Sequence, residues 1–167
     1  RNKSVIFKFL SIFSVVRFYN LLLILFAQYL TSIFILSDKP IFEVIFDSKL
    51  FILIFCSSVS IASGYIINNF YDEEKDLINK PVKYKIDEVV KSSTKLNFYF
   101  ILNFVVVIIS SFISLKAALF FSVYIFFLWL YSHKLKRLLF IGNLFYSLLT
   151  ITPFFAILLY YKKIDYI

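Results

Sequence analysis

Cysteine and histidine each occur once in these 167 residues, glycine twice and proline three times, and methionine is absent. One thiol, Cys56, forms neither an internal disulfide nor a multi-cysteine metal site, and it lies in an apolar run. The lone His133, beside basic residues at the end of an apolar segment, reads as a solvated interfacial side chain. No stretch rich in Pro, Gly and Ser divides the chain and no repeat recurs at a fixed period, so one helical domain over 1–167 is expected. No small-residue cleavage site follows the first apolar run, which argues against a secretory signal. Acid is scarce too, with 10 Asp and Glu against 18 Lys and Arg, a net charge of +8. In a soluble protein that balance would suggest nucleic acid. Here 61% of the residues are hydrophobic and 22% aromatic, well above soluble composition and far from disorder. The expectation is an integral membrane protein with no nucleic-acid partner, its positive charge orienting it against anionic lipid.

Five runs are apolar enough to span a bilayer, roughly 18–37, 51–71, 96–115, 117–132 and 138–161. A span needs about 20 residues, and these runs are continuous where barrel strands would alternate. The fold class expected is therefore all-α, a multi-pass transmembrane helix bundle. The stretch "NKSVIFKFLSIFSVVRF" mixes apolar residues with Lys3, Lys8 and Arg17 and reads as an interfacial helix leading into the first span. Counted by connecting segment, 13 Lys and Arg fall on one side of the membrane and 5 on the other. The positive-inside rule then puts the N-terminus and the 72–95 loop in the cytoplasm, in a bacterial or archaeal cell membrane.

"YIINNFYDEEKDLINKPVK", residues 65–83, crowds Asp72, Glu73, Glu74 and Asp76 where the second run stops. Charge at a membrane exit is common, and one D-x-x-x-D is weak on its own. Yet Asn68, Asp72 and Asp76 are spaced i, i+4, i+8, one helix face with about 6 Å per step. Like charges so placed destabilise a helix and cost desolvation near lipid. A divalent cation relieves both, and oxygen ligands suit Mg²⁺, which takes one or two carboxylates, phosphates and waters. Glu73 and Glu74 point elsewhere and read as ordinary surface charge.

"NNFYDEEKDLINKP" resembles the first aspartate-rich motif of the UbiA superfamily of intramembrane prenyltransferases, N-[DN]-x-x-D-x-x-x-D followed by N-x-P and a basic residue. Asn68, Asp72, Asp76, Asn79 and Pro81 fall at matching positions. Asn69 stands where the family often has Asp, and Lys83-Tyr84 where it commonly has Arg-Pro, which keeps the charge without the bidentate fork of Arg. "YSHKLKRLLFIGN", from Tyr131 to Asn143, resembles the family's Y-S-x-x-L-K segment and following Gly-Asn. "VRFYN", with Arg17 and Asn20, is similar to its first-helix entrance.

The resemblance implies transfer of an isoprenoid chain from a prenyl diphosphate to a lipophilic acceptor. Asp72 and Asp76 would hold Mg²⁺ against the diphosphate, with Asn68 as a third oxygen donor. Lys83 and Lys136 would neutralise phosphate charge, Tyr131 would face the allylic cation, and Ser132, Arg17 and Asn20 would complete the substrate site. "DLINKP" looks most like the branches acting on ether-lipid, chlorophyll or tocopherol precursors, so the acceptor is expected to be a quinone or ether-lipid precursor of the geranylgeranylglyceryl-phosphate type. The matching region is the N-terminal portion of a family member, about five of nine helices. The chain is thus expected to be a fragment that lacks the second aspartate-rich motif and is inactive alone, since Asp165 stands isolated. The rivals are an ion-coupled transporter, which wants acids at mid-membrane, a Mg²⁺-dependent phosphatidyl-type transferase, whose upstream D-G pair is absent, and a purely structural membrane subunit.

Overall fold

The computed structural model describes residues 2–161, apart from the side chains of residues 2–6, 8 and 9. Arg1, Lys162, Lys163 and Asp165 lie outside the described residues, as do the side chains of Lys3 and Lys8. Every element among the described residues is helical: α1 (Asn2–Val15), α2 (Phe18–Thr31), α3 (Ile41–Ile45), α4 (Ser48–Tyr71), α5 (Glu73–Asn79), α6 (Pro81–Asp87), α7 (Ser92–Ser111), α8 (Leu115–His133) and α9 (Leu139–Tyr161). A π-helical turn (Ser32–Leu36) extends α2, and a 3₁₀ turn (Leu135–Arg137) joins α8 to α9. Among the described residues, five helices are long and apolar enough to cross a membrane: α2 with its extension, α4, α7, α8 and α9.

Local chemistry sets most boundaries. The Asp47 carboxylate accepts from the backbone N–H groups of Lys49 and Leu50 at 3.0 and 3.2 Å, an N-cap that starts α4. The Ser114 hydroxyl caps α8 through the N–H of Ala117 at 3.0 Å. Pro81 opens α6 and bars Lys80 from helical geometry, which breaks α5 from α6. Between α1 and α2, Arg17 takes the left-handed conformation (φ 49°, ψ 54°), which costs a non-glycine residue about 1–2 kcal/mol.

Three expectations need correction. The third span lies at Ser92–Ser111, not 96–115, because Lys95 is buried within its first turn, where its ammonium lies 4.0 Å from Glu73 and the Ser92 hydroxyl donates to Glu73 at 2.7 Å. Glu73 is accordingly a tie between α5 and α7 rather than ordinary surface charge, while Glu74 is exposed. The 72–95 loop is also mostly helix, folded as α5 and α6 over the end of the bundle.

The centre of the bundle is α4, packed by α7 and α8 and flanked by α2 and α9. Lipid tails are as apolar as leucine, so close packing and internal hydrogen bonds hold such helices together. Leu53, Cys56 and Ile61 of α4 accordingly interlock with Val106, Phe121, Tyr124 and Leu149. Ser57, Ser60 and Ser63 are fully buried on α4, small enough to let the neighbouring helices approach.

Candidate active site

The α4 helix ends at Tyr71, and Asp72 is a single turn residue before α5. The hydrogen-bond ladder nevertheless runs through the break, from the N–H of Asp72 to Asn68 O at 3.0 Å and from that of Asp76 to Asp72 O at 2.8 Å. The i, i+4, i+8 relation therefore survives although the helix does not. Asn68, Asp72 and Asp76 line one polar cleft together with Arg17, Lys80 and Lys83, with a cavity of about 20 Å³. That is room for about one water or small ion.

Lysines balance these acids. The Lys136 ammonium lies 2.8 Å from Asp72 and donates to Asn68 Oδ1 at 3.1 Å. Burial pulls its pKa below the ordinary lysine value, opposed by Asp72 and reinforced by the nearby charges of Lys75 and Arg137. Asp76 stands 3.7 Å from Lys80 and 3.5 Å from Lys83.

Asp87 carries a role that sequence reasoning missed. It is 2% exposed, and it accepts from Ser14 of α1 at 2.7 Å, from Asn69 of α4 at 2.8 Å and from Lys83 of α6. One carboxylate thus joins three elements and fixes the lysine nearest Asp76. It also accounts for Asn69, because an Asp there would set a second carboxylate against the first. The signal available in the sequence was the i, i+4 pair Lys83–Asp87. Gly142 was noted only as part of a motif. A Cβ at that position would stand 2.8 Å from Leu135 O, so the glycine lets α9 close against the turn that presents Lys136.

Behind the cleft lies an apolar chamber of about 380 Å³ among α2, α4, α8 and α9. Arg17, Tyr65 and Asn68 line both spaces. The Arg17 guanidinium sits over the Tyr65 ring, 5.2 Å from its centroid. Asn20, Tyr131 and buried Ser132 also line the chamber, and the Tyr131 ring lies 6.0 Å from that of Tyr146. Eight of the nine candidate residues line the cleft or the chamber, and the ninth, Lys136, reaches the cleft through its contacts with Asp72 and Asn68. Asn79 is exposed at the end of α5, Pro81 acts as helix start, and His133 is stacked on Trp129 at 5.3 Å.

The donor set fits Mg²⁺ of the substrate-sharing kind. Asn68, Asp72 and Asp76 offer hard oxygens, and no cluster of three or more His, Cys, Asp or Glu is found among the described residues. A cation here would take one or two carboxylates and complete its shell with phosphate oxygens and water.

The UbiA prenyltransferase family model matches residues 21–164. The chain belongs to the UbiA prenyltransferase family. Digeranylgeranylglyceryl phosphate synthase of Thermococcus gammatolerans is 35% identical over 112 residues, which is 66% of this chain and 41% of that protein. A solved structure from work on digeranylgeranylglyceryl phosphate synthase in membranes superposes with a TM-score of 0.70 at 26% identity, covering 87% of this chain and 50% of the other. The chain therefore spans half or less of the length of these relatives.

Proposed function

We propose that the chain forms the diphosphate-binding part of an intramembrane prenyltransferase. The observation that carries this reading is a polar, lysine-bearing cleft adjoining an apolar chamber, with Arg17, Tyr65 and Asn68 lining both. A prenyl diphosphate has that same division, charge at one end and hydrocarbon at the other. Asp72, Asp76 and Asn68 would hold Mg²⁺, which supplies positive charge to the departing diphosphate. Lys136 and Lys83 stabilise the same charge as the C–O bond breaks. Tyr131 and Tyr65 offer π faces to the allylic cation, each contact worth about 0.5–2 kcal/mol. The chamber wall keeps water from that carbon until the acceptor oxygen attacks it and gives up its proton.

The acceptor we infer is a prenylated glyceryl phosphate, because both relatives are digeranylgeranylglyceryl phosphate synthases or come from work on one. The positive-inside distribution supports a cytoplasmic cleft. Against the transporter reading, none of the five spans contains an Asp or Glu.

The test is Asp72→Asn in the full-length protein, assayed in membranes with geranylgeranyl diphosphate and an acceptor panel containing geranylgeranylglyceryl phosphate and a quinone precursor. Transfer should fall by about 100-fold or more, comparable to losing a group used in the transition state. It should also vanish on chelation of divalent cations. Undiminished metal-dependent transfer by the variant rules out the role given to Asp72.

A further inference from the structure

Pro153 sits within α9 and has no N–H, so the carbonyl of Leu149, four residues earlier, loses its ladder partner. In hydrocarbon such a group has to be satisfied by the protein itself. The Tyr124 hydroxyl of α8 donates to Leu149 O at 3.2 Å, and Gln28 Nε2 of α2 donates to Pro153 O at 3.0 Å. Tyr124 is 3% exposed and is held in place by this bond.

Its position matters beyond helix repair. Tyr124 and Leu149 line the chamber behind the cleft, and both also line a second apolar cavity of about 500 Å³. That second space is bounded by Leu53 of α4, by Ser114 and Ala117 at the start of α8, and by Tyr160 near the end of α9. It therefore lies toward the membrane face opposite Asp72. Tyr124 stands eight residues before Ser132 on α8, about 12 Å deeper along the helix. The side chains of Tyr124 and Leu149, residues that line both spaces, form the wall between them.

Resting on the prenyltransferase reading above, we propose that Tyr124 determines the length of isoprenoid donor that the site accepts. With the diphosphate in the cleft, the hydrocarbon tail enters the chamber past Arg17 and Tyr65 and ends against the Tyr124 ring. Donors that fit above the ring bind with their reacting carbon in place. Longer donors cannot seat their diphosphate without displacing a side chain that is bonded to Leu149. Removing the ring joins the chamber to the second cavity and opens a path for the longer tail.

The experiment compares kcat/KM for solanesyl diphosphate with that for geranylgeranyl diphosphate in the full-length enzyme in membranes. Tyr124→Leu should raise the long-over-short ratio by about tenfold or more, the scale on which apolar pockets discriminate chain size. Tyr124→Phe keeps the ring and loses the hydroxyl, so it should lower the thermal midpoint yet leave the ratio within about twofold of wild type. If Tyr124→Leu fails to accumulate, Leu149→Ala removes the same wall from the α9 side and is judged by the same ratio. Active enzyme with an unchanged ratio overturns the proposal and leaves the prenyltransferase reading intact. A wild-type protein that transfers no prenyl group overturns both.

Discussion

At the scale of single residues, the cleft is held together by charges that have no freedom to wander. Asp87 is the clearest case, since its partners come from α1, α4 and α6. Asn69→Asp should place two carboxylates in contact and destabilise the protein by about 1–3 kcal/mol. The double variant Asn69→Asp with Asp87→Asn should recover most of that loss. Thermal denaturation in detergent measures both, and a double variant no better than the single one refutes the pairing. Asp47, at the opposite end of α4, gives a pH signature. Burial would raise its pKa, but the Tyr160 hydroxyl at 2.6 Å and the capped N–H groups outweigh that and hold it below the ordinary value of 3.8. A depressed folded-state pKa means that its stabilisation is whole above the ordinary value and is lost as pH falls through the lower one. Asp47→Ala, which removes both the cap and the titrating group, should cost about 1 kcal/mol near neutrality and flatten the acid limb of the stability profile.

At the scale of elements, the turn between α8 and α9 shows how packing sets chemistry. Gly142→Ala drives a methyl against Leu135 O, where only 2.8 Å is available. The backbone has to move, and Lys136 moves with it. The expected outcome is a several-fold rise in KM for the prenyl diphosphate with helix content preserved, read by kinetics and circular dichroism. The spans themselves were legible in the sequence, because a bilayer demands uninterrupted apolar runs of a narrow length range. The start of α7 was not, since Lys95 looks like loop charge until Glu73 and Ser92 are seen beside it. Asn68, Asp72 and Asp76 stood out as candidates through their spacing together with the family resemblance, since spacing alone also fits an acidic helix end. Asp87 and Tyr124 were hidden for a common reason: their partners Ser14 and Leu149 lie 73 and 25 positions away. Only the fold brings them together.

At the scale of the whole molecule, orientation is the property most open to a direct check. The one native thiol, Cys56, is fully buried in α4, so introduced cysteines stand out against it. Lys85→Cys, on α6, should react with an impermeant maleimide only after permeabilisation, whereas Lys39→Cys, between α2 and α3, should react in intact cells. The reverse pattern would overturn the proposed topology.

The central position of α4 has one more consequence. Of its most apolar window, 67% is buried inside the bundle, against 11% for the first span. Yet its interior face sets Ser57, Ser60, Ser63 and Gly64 among larger residues such as Leu53, Ile54 and Ile61. For this protein, greasiness and cohesion pull in opposite directions. An engineer who replaced those serines with leucine would produce a segment that enters the bilayer more readily and a bundle that no longer closes around it.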